Sequence, residues 1–291
     1  MAVQNTKLGI WLMVATTLVF AIQDGFSRHL AETYNVWMVV TVRYWFFAAF
    51  VIAVALRHPQ GFRAATRSQF PRLQVFRGVL LAFEICIAVL AFATLGLVNA
   101  HALFAAYPLL IAALSGPVLG ERVGWRRWTA IAIGFVGVLV ILRPGFAVFA
   151  PEALIAIFAA LLFALYGLLT RYVGQKDSAS VSLFWAGVAG TVVLTPIGIL
   201  FWEPMLPRDW AFMAVICCTG IFSHWLMIRA YEVAEASAIQ PFAYLQLVFV
   251  SIIGVTVFNE VIEPNVFIGA LIVVGAGVFT IWRSGRVAKG G

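Results

Sequence analysis

Charged and titratable side chains stand within stretches of this sequence that are otherwise apolar. Asp24, Arg43 and Glu84 lie among aliphatic and aromatic residues, and so do His101 and His224. An ionisable group inside hydrocarbon costs about 2.5–3.5 kcal/mol on insertion scales, so these side chains must face the interior of a helix bundle. Carboxylates, guanidinium groups and imidazoles in such a place can bind a charged substrate or carry a proton. We therefore predict that they bind a ligand, couple its movement to protons or form gates.

The depth of these groups along their helices separates their expected roles. At a rise of 1.5 Å per residue, Asp24 and Arg43 lie about 6–10 Å below the same end of two sequential antiparallel helices. They are predicted to form an ion pair, either as a link between the helices or as part of an outer gate. Glu84 lies about halfway along its helix. It is predicted to be either a carboxylate that couples protons or binds an amine, or a buried structural group. His101 and His224 leave the same choice between gating or coupling and a structural role.

Uncharged polar and aromatic side chains extend the candidate binding surface. Gln240 and Tyr244 are four residues apart and share one stripe of a helix. Pro108 lies in the middle of another helix, which it must kink or break, although packing alone also explains such a proline. Aromatic rings that face inward can line an apolar cavity. The predicted substrate-binding residues are Gln23, Glu84, Tyr107, Tyr166, Ser223, Trp225, Gln240 and Tyr244.

The elements that must position these residues are long apolar helices. Hydrophobic residues make up 63% of the 291 positions and charged residues 11%, and about 20 mostly apolar residues cross a bilayer as a helix. Backbone polar groups inside lipid must be bonded within the span, so helices are expected. The fold class is therefore an all-α polytopic membrane protein with ten transmembrane helices. The ten apolar stretches are 8–28, 36–56, 75–95, 100–120, 125–143, 151–171, 180–201, 209–232, 236–259 and 265–283.

The distribution of basic residues orients the chain. With the N-terminus inside, the outer connections contain only Arg28, Arg143 and Arg208, whereas most of the 19 lysines and arginines lie on the cytoplasmic side. Cationic loops resist translocation, so both termini are predicted to be cytoplasmic. Membrane topology thus explains the net charge of +7, and the expected partners are the lipid bilayer and a small molecule, not nucleic acid. The three cysteines lack metal-ligand spacing, and no metal or cofactor is expected.

The second half of the sequence repeats the first. Arg28 corresponds to Arg171 at an offset of 143 residues, and Glu121 corresponds to Glu260 at an offset of 139. Each unit contains five predicted helices, and this odd number makes the second unit enter the membrane from the opposite face. Inverted repeats place a binding site near the midplane at their interface and favour a transporter. The two units are residues 1–145 and 146–291.

Motifs at the ends of the fourth and ninth helices are typical of a known family. Gly120-Glu121-Arg122 ends the fourth helix, Asn259-Glu260 ends the ninth, and a glycine-rich helix follows each. Over nearly its whole length the chain resembles the EamA family of the drug/metabolite transporter superfamily, and it is similar to bacterial amino-acid exporters of the YddG type. The resemblance implies a ten-helix inverted-repeat fold that carries small metabolites. The two glutamates are predicted to cap the turns in which they stand.

The predicted function is a secondary transporter that exports small metabolites, specifically neutral or aromatic amino acids, across the bacterial inner membrane by alternating access. A nucleotide-sugar or other metabolite carrier of the same superfamily is the alternative, although Arg43 is the only deeply placed arginine that the sequence indicates. A membrane-embedded enzyme would need a nucleophile–base pair, metal ligands or a carboxylate cluster, and the sequence offers none. A channel would need charged rings or carbonyl-filter motifs. The sequence leaves open the substrate, the coupling ion and whether the protein is a monomer or a homodimer.

Overall fold

The computed structural model describes residues 5–120, 125–142 and 151–287, and every regular element in these ranges is an α-helix. The helices are α1 (Thr6–Ala31), α2 (Val36–Leu56), α3 (Phe62–Thr66), α4 (Pro71–Leu95), α5 (Leu97–Phe104), α6 (Tyr107–Leu119), α7 (Trp125–Leu142), α8 (Pro151–Val173), α9 (Ala179–Leu200), α10 (Asp209–Val233), α11 (Ala236–Ala243), α12 (Leu245–Phe258) and α13 (Pro264–Val287).

Helices lie at each of the apolar stretches that the sequence indicates. Among the described residues, eight spans are long and apolar enough to cross a membrane, and two of these are the interrupted pairs α5–α6 and α11–α12. The apolar parts of α7 and α13 are shorter, at Trp128–Ile141 and Pro264–Ala276. The protein is thus an all-helical multi-pass membrane protein, while the count of ten crossings stays a prediction.

Residues at matched positions cap the helices of the two halves. Asn35 and Ser178, 143 positions apart, accept hydrogen bonds from backbone N–H groups in the first turns of α2 and α9. Gly120 ends α6 and Asn259 ends α12, and both adopt the left-handed backbone conformation, with φ of 71° and 53°. Asparagine tolerates this conformation better than most residues with a side chain, so it can take the place of glycine there.

Two of the spans are interrupted at corresponding positions. The helix stops over Ala105 and Ala106 between α5 and α6, and Pro108 lies in the first turn of α6. The interruption expected at Pro108 is therefore present. Proline is well placed in the first turn of the new helix, because its missing N–H needs no partner there. Tyr244, 139 positions after Ala105, separates α11 from α12 in the same way.

The helices pack in pairs, and each pair joins one helix from each half. α1 packs along α10 and α4 along α8, while α1 also contacts α11 and α12, and α8 contacts α5 and α6. α2 packs on α9, and α7 packs on α13. Such reciprocal pairing is expected when two similar units face each other across a two-fold axis. It gathers α1, α2, α4, α5, α8, α10 and α12 around one central space.

Glycines of α9 let α2 approach closely. Gly190 lies against the ring of Tyr44 and Gly198 lies against Thr41, and a β-carbon at either glycine would clash. Thr41 also donates a hydrogen bond of 3.1 Å to the backbone carbonyl of Leu194. These contacts fix the rotation of α2 and leave Arg43 on the face that lines the central space.

Candidate substrate cavity and its two gates

A small cavity of about 40 Å³ lies at the meeting point of the two halves. Its wall combines four phenylalanine rings with acidic, basic and amide side chains. One water molecule needs about 10–15 Å³ of such space, so the cavity has room for a few waters and not for a metabolite. The lining residues are Phe20, Gln23, Asp24, Arg43, Glu84, Ile85, Ala88, Val89, Phe92, Phe104, Phe163, His224 and Gln246.

Glu84 of α4 and Arg43 of α2 are buried in this wall, and neither forms a hydrogen bond or a close ion pair with another described residue. Gly220 of α10 provides the space for the guanidinium group, because a β-carbon there would lie 2.7 Å from Nε of Arg43. A buried charge is costly unless a partner compensates it. One free carboxylate and one free guanidinium group in the same cavity are therefore suited to the two opposite charges of a zwitterion.

His224 of α10 is a further unpaired polar group beside the cavity. Its side chain is 1% exposed, and neither ring nitrogen has a hydrogen-bond partner among the described residues. The imidazole lies between aromatic rings, 5.2 Å from that of Phe20 and 6.1 Å from that of Tyr166 between centroids. An unpaired buried polar atom costs about 1–3 kcal/mol, and a polar group of a bound ligand would remove this cost.

Asp24, in contrast, already has partners within the protein. Its Oδ2 lies 3.0 Å from Nε2 of His101 and accepts a hydrogen bond of 2.9 Å from the Gln246 amide. The predicted ion pair between Asp24 and Arg43 is wrong: Asp24 turns towards the interrupted spans, whereas Arg43 lies over Gly220. Equal depth along two helices does not settle which way each side chain points.

Glu260 closes one end of the cavity, at the face predicted to be outside. Its carboxylate accepts hydrogen bonds from the backbone N–H groups of Leu97 (2.7 Å) and Val98 (2.8 Å) at the start of α5, and it forms an ion pair with Arg28. Its negative charge complements the dipole at this helix N-terminus. The glutamate thus caps a helix of the other half, not its own turn as predicted. The matched residue Glu121 lies outside the described residues.

Replacing Glu260 by glutamine should loosen the start of α5. The amide keeps the size of the side chain but loses the charge that Arg28 and the helix dipole stabilise, at a cost of about 1–2 kcal/mol. Amide hydrogen exchange over residues 97–104 should become faster, and thermal unfolding should begin at a lower temperature.

Glu32→Gln is the matched control, because Glu32 also pairs with Arg28 but its side chain is 42% exposed. Exposed pairs contribute little to stability, so this variant should exchange like the wild type. Equal exchange in the Glu260→Gln and Glu32→Gln proteins would show that Glu260 does not hold α5 in place.

A second set of contacts closes the same face between the loop after α1 and the segment before α10. Tyr34 donates a hydrogen bond of 2.6 Å to Asp209 and accepts one of 3.0 Å from the backbone N–H of Leu206. The bond to Asp209 raises the pKa of the Tyr34 hydroxyl, which therefore keeps its proton. Glu203 accepts a hydrogen bond from the backbone N–H of Asn35. We refer to Arg28, Tyr34, Glu203, Asp209 and Glu260 as the outer cluster.

Arg77 of α4 forms the centre of a cluster at the opposite face. Its side chain is fully buried, and it donates hydrogen bonds to Tyr166 (3.1 Å) and Thr170 (3.0 Å) of α8. It also donates to the side chain of Gln74 (2.8 Å) and to the backbone carbonyl of Ser182 at the start of α9. A single guanidinium group therefore holds three helices together at this end of the cavity.

Asp177 ties the loop before α4 to the same cluster. It accepts hydrogen bonds from the Gln74 amide (2.9 Å), from the backbone N–H of Gln69 (2.8 Å) and from the Ser68 hydroxyl. Asp177 stands 143 positions after Tyr34, so residues at matched positions close the two faces. We refer to Ser68, Gln74, Arg77, Tyr166, Thr170, Asp177 and Ser182 as the inner cluster.

Contacts among the described residues thus join the helices on both sides of the cavity. Sites for small metabolites measure about 300–1,000 Å³, far more than the 40 Å³ between the two clusters. The space between the clusters must therefore widen before it can hold a metabolite.

The cavity brings together residues that are far apart in the sequence. Gln23, Asp24, Arg43, Glu84 and His224 were all selected from the sequence, and all five line the cavity. Their common signal is a polar side chain within an apolar span.

The other selected residues lie around the cavity or away from it. His101, Tyr107 and Tyr244 line a second space of about 10 Å³. The Ser223 hydroxyl lies 3.4 Å from the Gln23 side-chain oxygen, and Tyr166 belongs to the inner cluster.

Gln240 and Trp225 do not line the cavity in this conformation. Gln240 donates a hydrogen bond of 2.6 Å to the Tyr231 hydroxyl. Trp225 is 38% exposed and stacks on Phe222, beside a groove on the exposed side of the helix bundle.

Several residues of the site were not selected from the sequence. Gln246 is one of them, and its amide within an apolar helix could have singled it out. Arg77 counts as one more cytoplasmic charge in the topology, and only the structure places it in a buried cluster. Phe92, Phe104 and Phe163 could not be distinguished from the other aromatic residues of the spans.

A polar cavity among membrane-spanning helices is typical of membrane transporters. The chain belongs to the EamA-like transporter family, whose model matches residues 7–143 and 150–282. Members of this family and the similar proteins described next are transporters and not enzymes.

Curated relatives of similar length carry different metabolites. The chain is 26% identical to an S-adenosylmethionine uptake transporter of Rickettsia prowazekii, over 94% of this chain and 92% of that protein. It is 26% identical to a riboflavin transporter of Vibrio cholerae (94% and 93% covered) and 22% identical to the pseudopaline exporter CntI of Pseudomonas aeruginosa (95% and 96%). A solved crystal structure has the same fold, with a TM-score of 0.69 and 18% identity over 97% of this chain and 98% of that chain.

Proposed function

We propose that this protein is a secondary transporter for a metabolite with a zwitterionic α-amino-acid group, and that it works by alternating access. The observation that carries the proposal is that Glu84 and Arg43 are buried in one cavity, where neither has a hydrogen-bond partner among the described residues. Inverted repeats are part of the proposal. The interruptions at matched positions, the reciprocal helix pairing and the double match of the family model support them.

The two free charges define how the amino-acid group binds. The substrate carboxylate pairs with the guanidinium group of Arg43, which offers paired N–H donors, and the ammonium group donates to Glu84. His224 offers a donor and an acceptor to a further polar group. One positive and one negative protein group match a zwitterion and fit poorly with the several negative charges of a nucleotide sugar.

The phenylalanine rings define the rest of the substrate. Phe20, Phe92, Phe104 and Phe163 surround the charged groups, and aromatic faces attract both flat rings and cationic groups. S-Adenosylmethionine has an amino-acid group, a sulfonium cation and an adenine ring, so it satisfies every part of this surface. Export of neutral or aromatic amino acids, the narrower function predicted from the sequence, uses the same head-group contacts.

Riboflavin transport is the second candidate, because the four phenylalanine rings of the cavity suit a flat ring system and one group of relatives carries that name. Riboflavin lacks the paired ammonium and carboxylate groups. Its transport would leave Glu84 and Arg43 without oppositely charged groups of the substrate.

The location proposed for the protein is the bacterial inner membrane, with both termini in the cytoplasm. Under this orientation the inner cluster faces the cytoplasm and the outer cluster faces the periplasm. The excess of basic residues on the inner side supports this orientation.

Counterflow in proteoliposomes tests the proposed function. Vesicles with the purified protein are loaded with unlabelled S-adenosylmethionine, phenylalanine or riboflavin, and uptake of the labelled compound is followed at equal pH on both sides. We expect saturable exchange of at least one amino-acid-containing compound. Saturable exchange of riboflavin alone would support the second candidate, and no saturable exchange of any compound would contradict the transporter assignment for these classes.

A further inference from the structure

Both ring nitrogens of His101 lie near hydrogen-bond acceptors, and Nε2 also lies 3.5 Å from the amide nitrogen of Gln246. Nδ1 lies 2.9 Å from the backbone carbonyl oxygen of Leu97, one turn earlier in α5. Nε2 lies 3.0 Å from Oδ2 of Asp24 on α1. A carbonyl oxygen cannot donate, so Nδ1 must carry a proton. Nε2 lies closer to the Asp24 carboxylate, at 3.0 Å, than to the amide nitrogen of Gln246, at 3.5 Å, so a second proton on Nε2 gives this nitrogen its shorter hydrogen bond.

We propose that Asp24 and His101 hold one exchangeable proton and that this proton couples substrate transport to a pH gradient. The proton is held either as imidazolium with carboxylate or as neutral imidazole with carboxylic acid, and the charge of the pair is the same in both cases. When the proton leaves to water, the lone pair of Nε2 faces a negative carboxylate. The contact between α1 and α5 then becomes repulsive, and the two helices separate. This proposal rests on the transport function proposed above.

The position of the pair explains how one proton could control the gates. Asp24 lies on α1, His101 on the short helix α5, and Gln246, which donates to the same carboxylate oxygen, on α12. The helices α5 and α12 are parts of the two interrupted spans, and short helices without continuous backbone bonding to their neighbours can move separately. Glu260 of the outer cluster caps the other end of this contact, at the start of α5.

A water-sized space, an aromatic ring and several titratable groups lie around the pair of Asp24 and His101. The second space of about 10 Å³ lies directly beside His101, and it has roughly the size of one water molecule. The ring of Phe92 stacks on one face of the imidazole, with 4.4 Å between the ring centroids. The titratable and charged groups that line the same two spaces as the pair are Arg43, Glu84, Tyr107, His224 and Tyr244. Arg28 and Glu260 lie at the start of α5.

Two transport measurements on the same proteoliposomes separate this proposal from the transport function itself. Counterflow at equal pH on both sides measures the exchange of substrate by the carrier. Uptake under a pH gradient into vesicles without internal substrate measures the coupling of transport to protons. In the wild type, one orientation of the gradient should accumulate the substrate, by up to about tenfold per pH unit if one proton moves with each molecule. Counterflow in the wild type should also change with pH between about 5 and 8.

Asp24→Asn and His101→Gln should lose gradient-driven accumulation, and the exchange that they retain should no longer depend on pH. His58→Gln is the matched control, because His58 is exposed in the connection after α2 and should leave both pH responses intact. Accumulation by either pair variant, or pH-independent counterflow in the wild type, would overturn the proton proposal and leave the carrier in place. Absence of counterflow in the wild type would instead contradict the proposed function.

A direct measurement of the proton does not depend on transport. The chain has four histidines, so nitrogen NMR of histidine-labelled protein can assign each imidazole by its glutamine variant. The His101 signal should titrate in the wild type, and its titration should shift in Asp24→Asn protein. The pH response of the His58 signal should be the same in both proteins. If the pair variants fail to fold, a His101 signal that stays constant over pH 5–8 in the wild type still contradicts the proposal.

Discussion

Glu84→Gln protein should exchange an amino-acid-containing substrate with a KM about 10- to 100-fold higher than the wild type. The amide has the size of the carboxylate but no charge, and a hydrogen bond between charged groups contributes about 1.5–3 kcal/mol. Glu84 has no hydrogen-bond partner among the described residues, so the substitution breaks no hydrogen bond of the empty protein. The measurement is the concentration dependence of counterflow, together with the melting temperature of the purified protein.

Glu235→Gln is the control for this change, because Glu235 is an exposed glutamate at the start of α11. Its KM should equal that of the wild type. The substrate also provides an internal comparison, since a ligand without an ammonium group should be carried equally well by the wild type and Glu84→Gln protein. An unchanged KM for the zwitterionic substrate would show that Glu84 does not bind it.

Arg77→Met should open the inner face of the protein and lower its stability. Methionine fills much of the space, but it removes the donor shared by Gln74, Tyr166 and the Ser182 carbonyl. Each buried acceptor left unpaired costs about 1–3 kcal/mol, so the total is several kcal/mol. Hydrogen exchange should become much faster over residues 71–78 and 179–186, and the melting temperature should fall.

Arg72→Met provides the comparison within the same helix, because Arg72 is exposed and Arg77 is fully buried. The Arg72 variant should exchange and melt like the wild type. Segments of the outer face, such as 97–104, should be unaffected by the Arg77 change if the two clusters act separately. Wild-type exchange at residues 71–78 in the Arg77 variant would contradict its role in holding the inner face closed.

The helices could be predicted closely from hydropathy alone. The described bounds of α2 (Val36–Leu56) coincide with the predicted stretch 36–56, because the requirement to bond every backbone group inside lipid leaves little freedom. The interruption near Pro108 also followed from local chemistry, since proline lacks an N–H. In contrast, no proline stands at Tyr244, and the break there was not predicted from the sequence.

The polar residues of the cavity could be predicted as a set, but their pairing could not. Asp24, Arg43 and Glu84 were recognised because charges in apolar spans need a reason. The pairing depends on the rotation of each helix, which distant packing contacts such as Gly220 against Arg43 decide. For the same reason Asp24 pairs with His101, 77 positions away, and the outer glutamate Glu260 caps a helix of the other half.

The most direct test of the central claim compares exposed positions at matched sites in the two halves. Thr33 and Lys176 are exposed and lie 143 positions apart, beside Tyr34 of the outer cluster and Asp177 of the inner cluster. In a variant without Cys86, Cys217 and Cys218, single cysteines at these positions are labelled with a membrane-impermeant maleimide in intact and permeabilised cells. Inverted halves require that Thr33→Cys reacts in intact cells and that Lys176→Cys reacts only after permeabilisation. Labelling of both cysteines from the same side of the membrane would contradict the inverted arrangement and, with it, the two opposite gates.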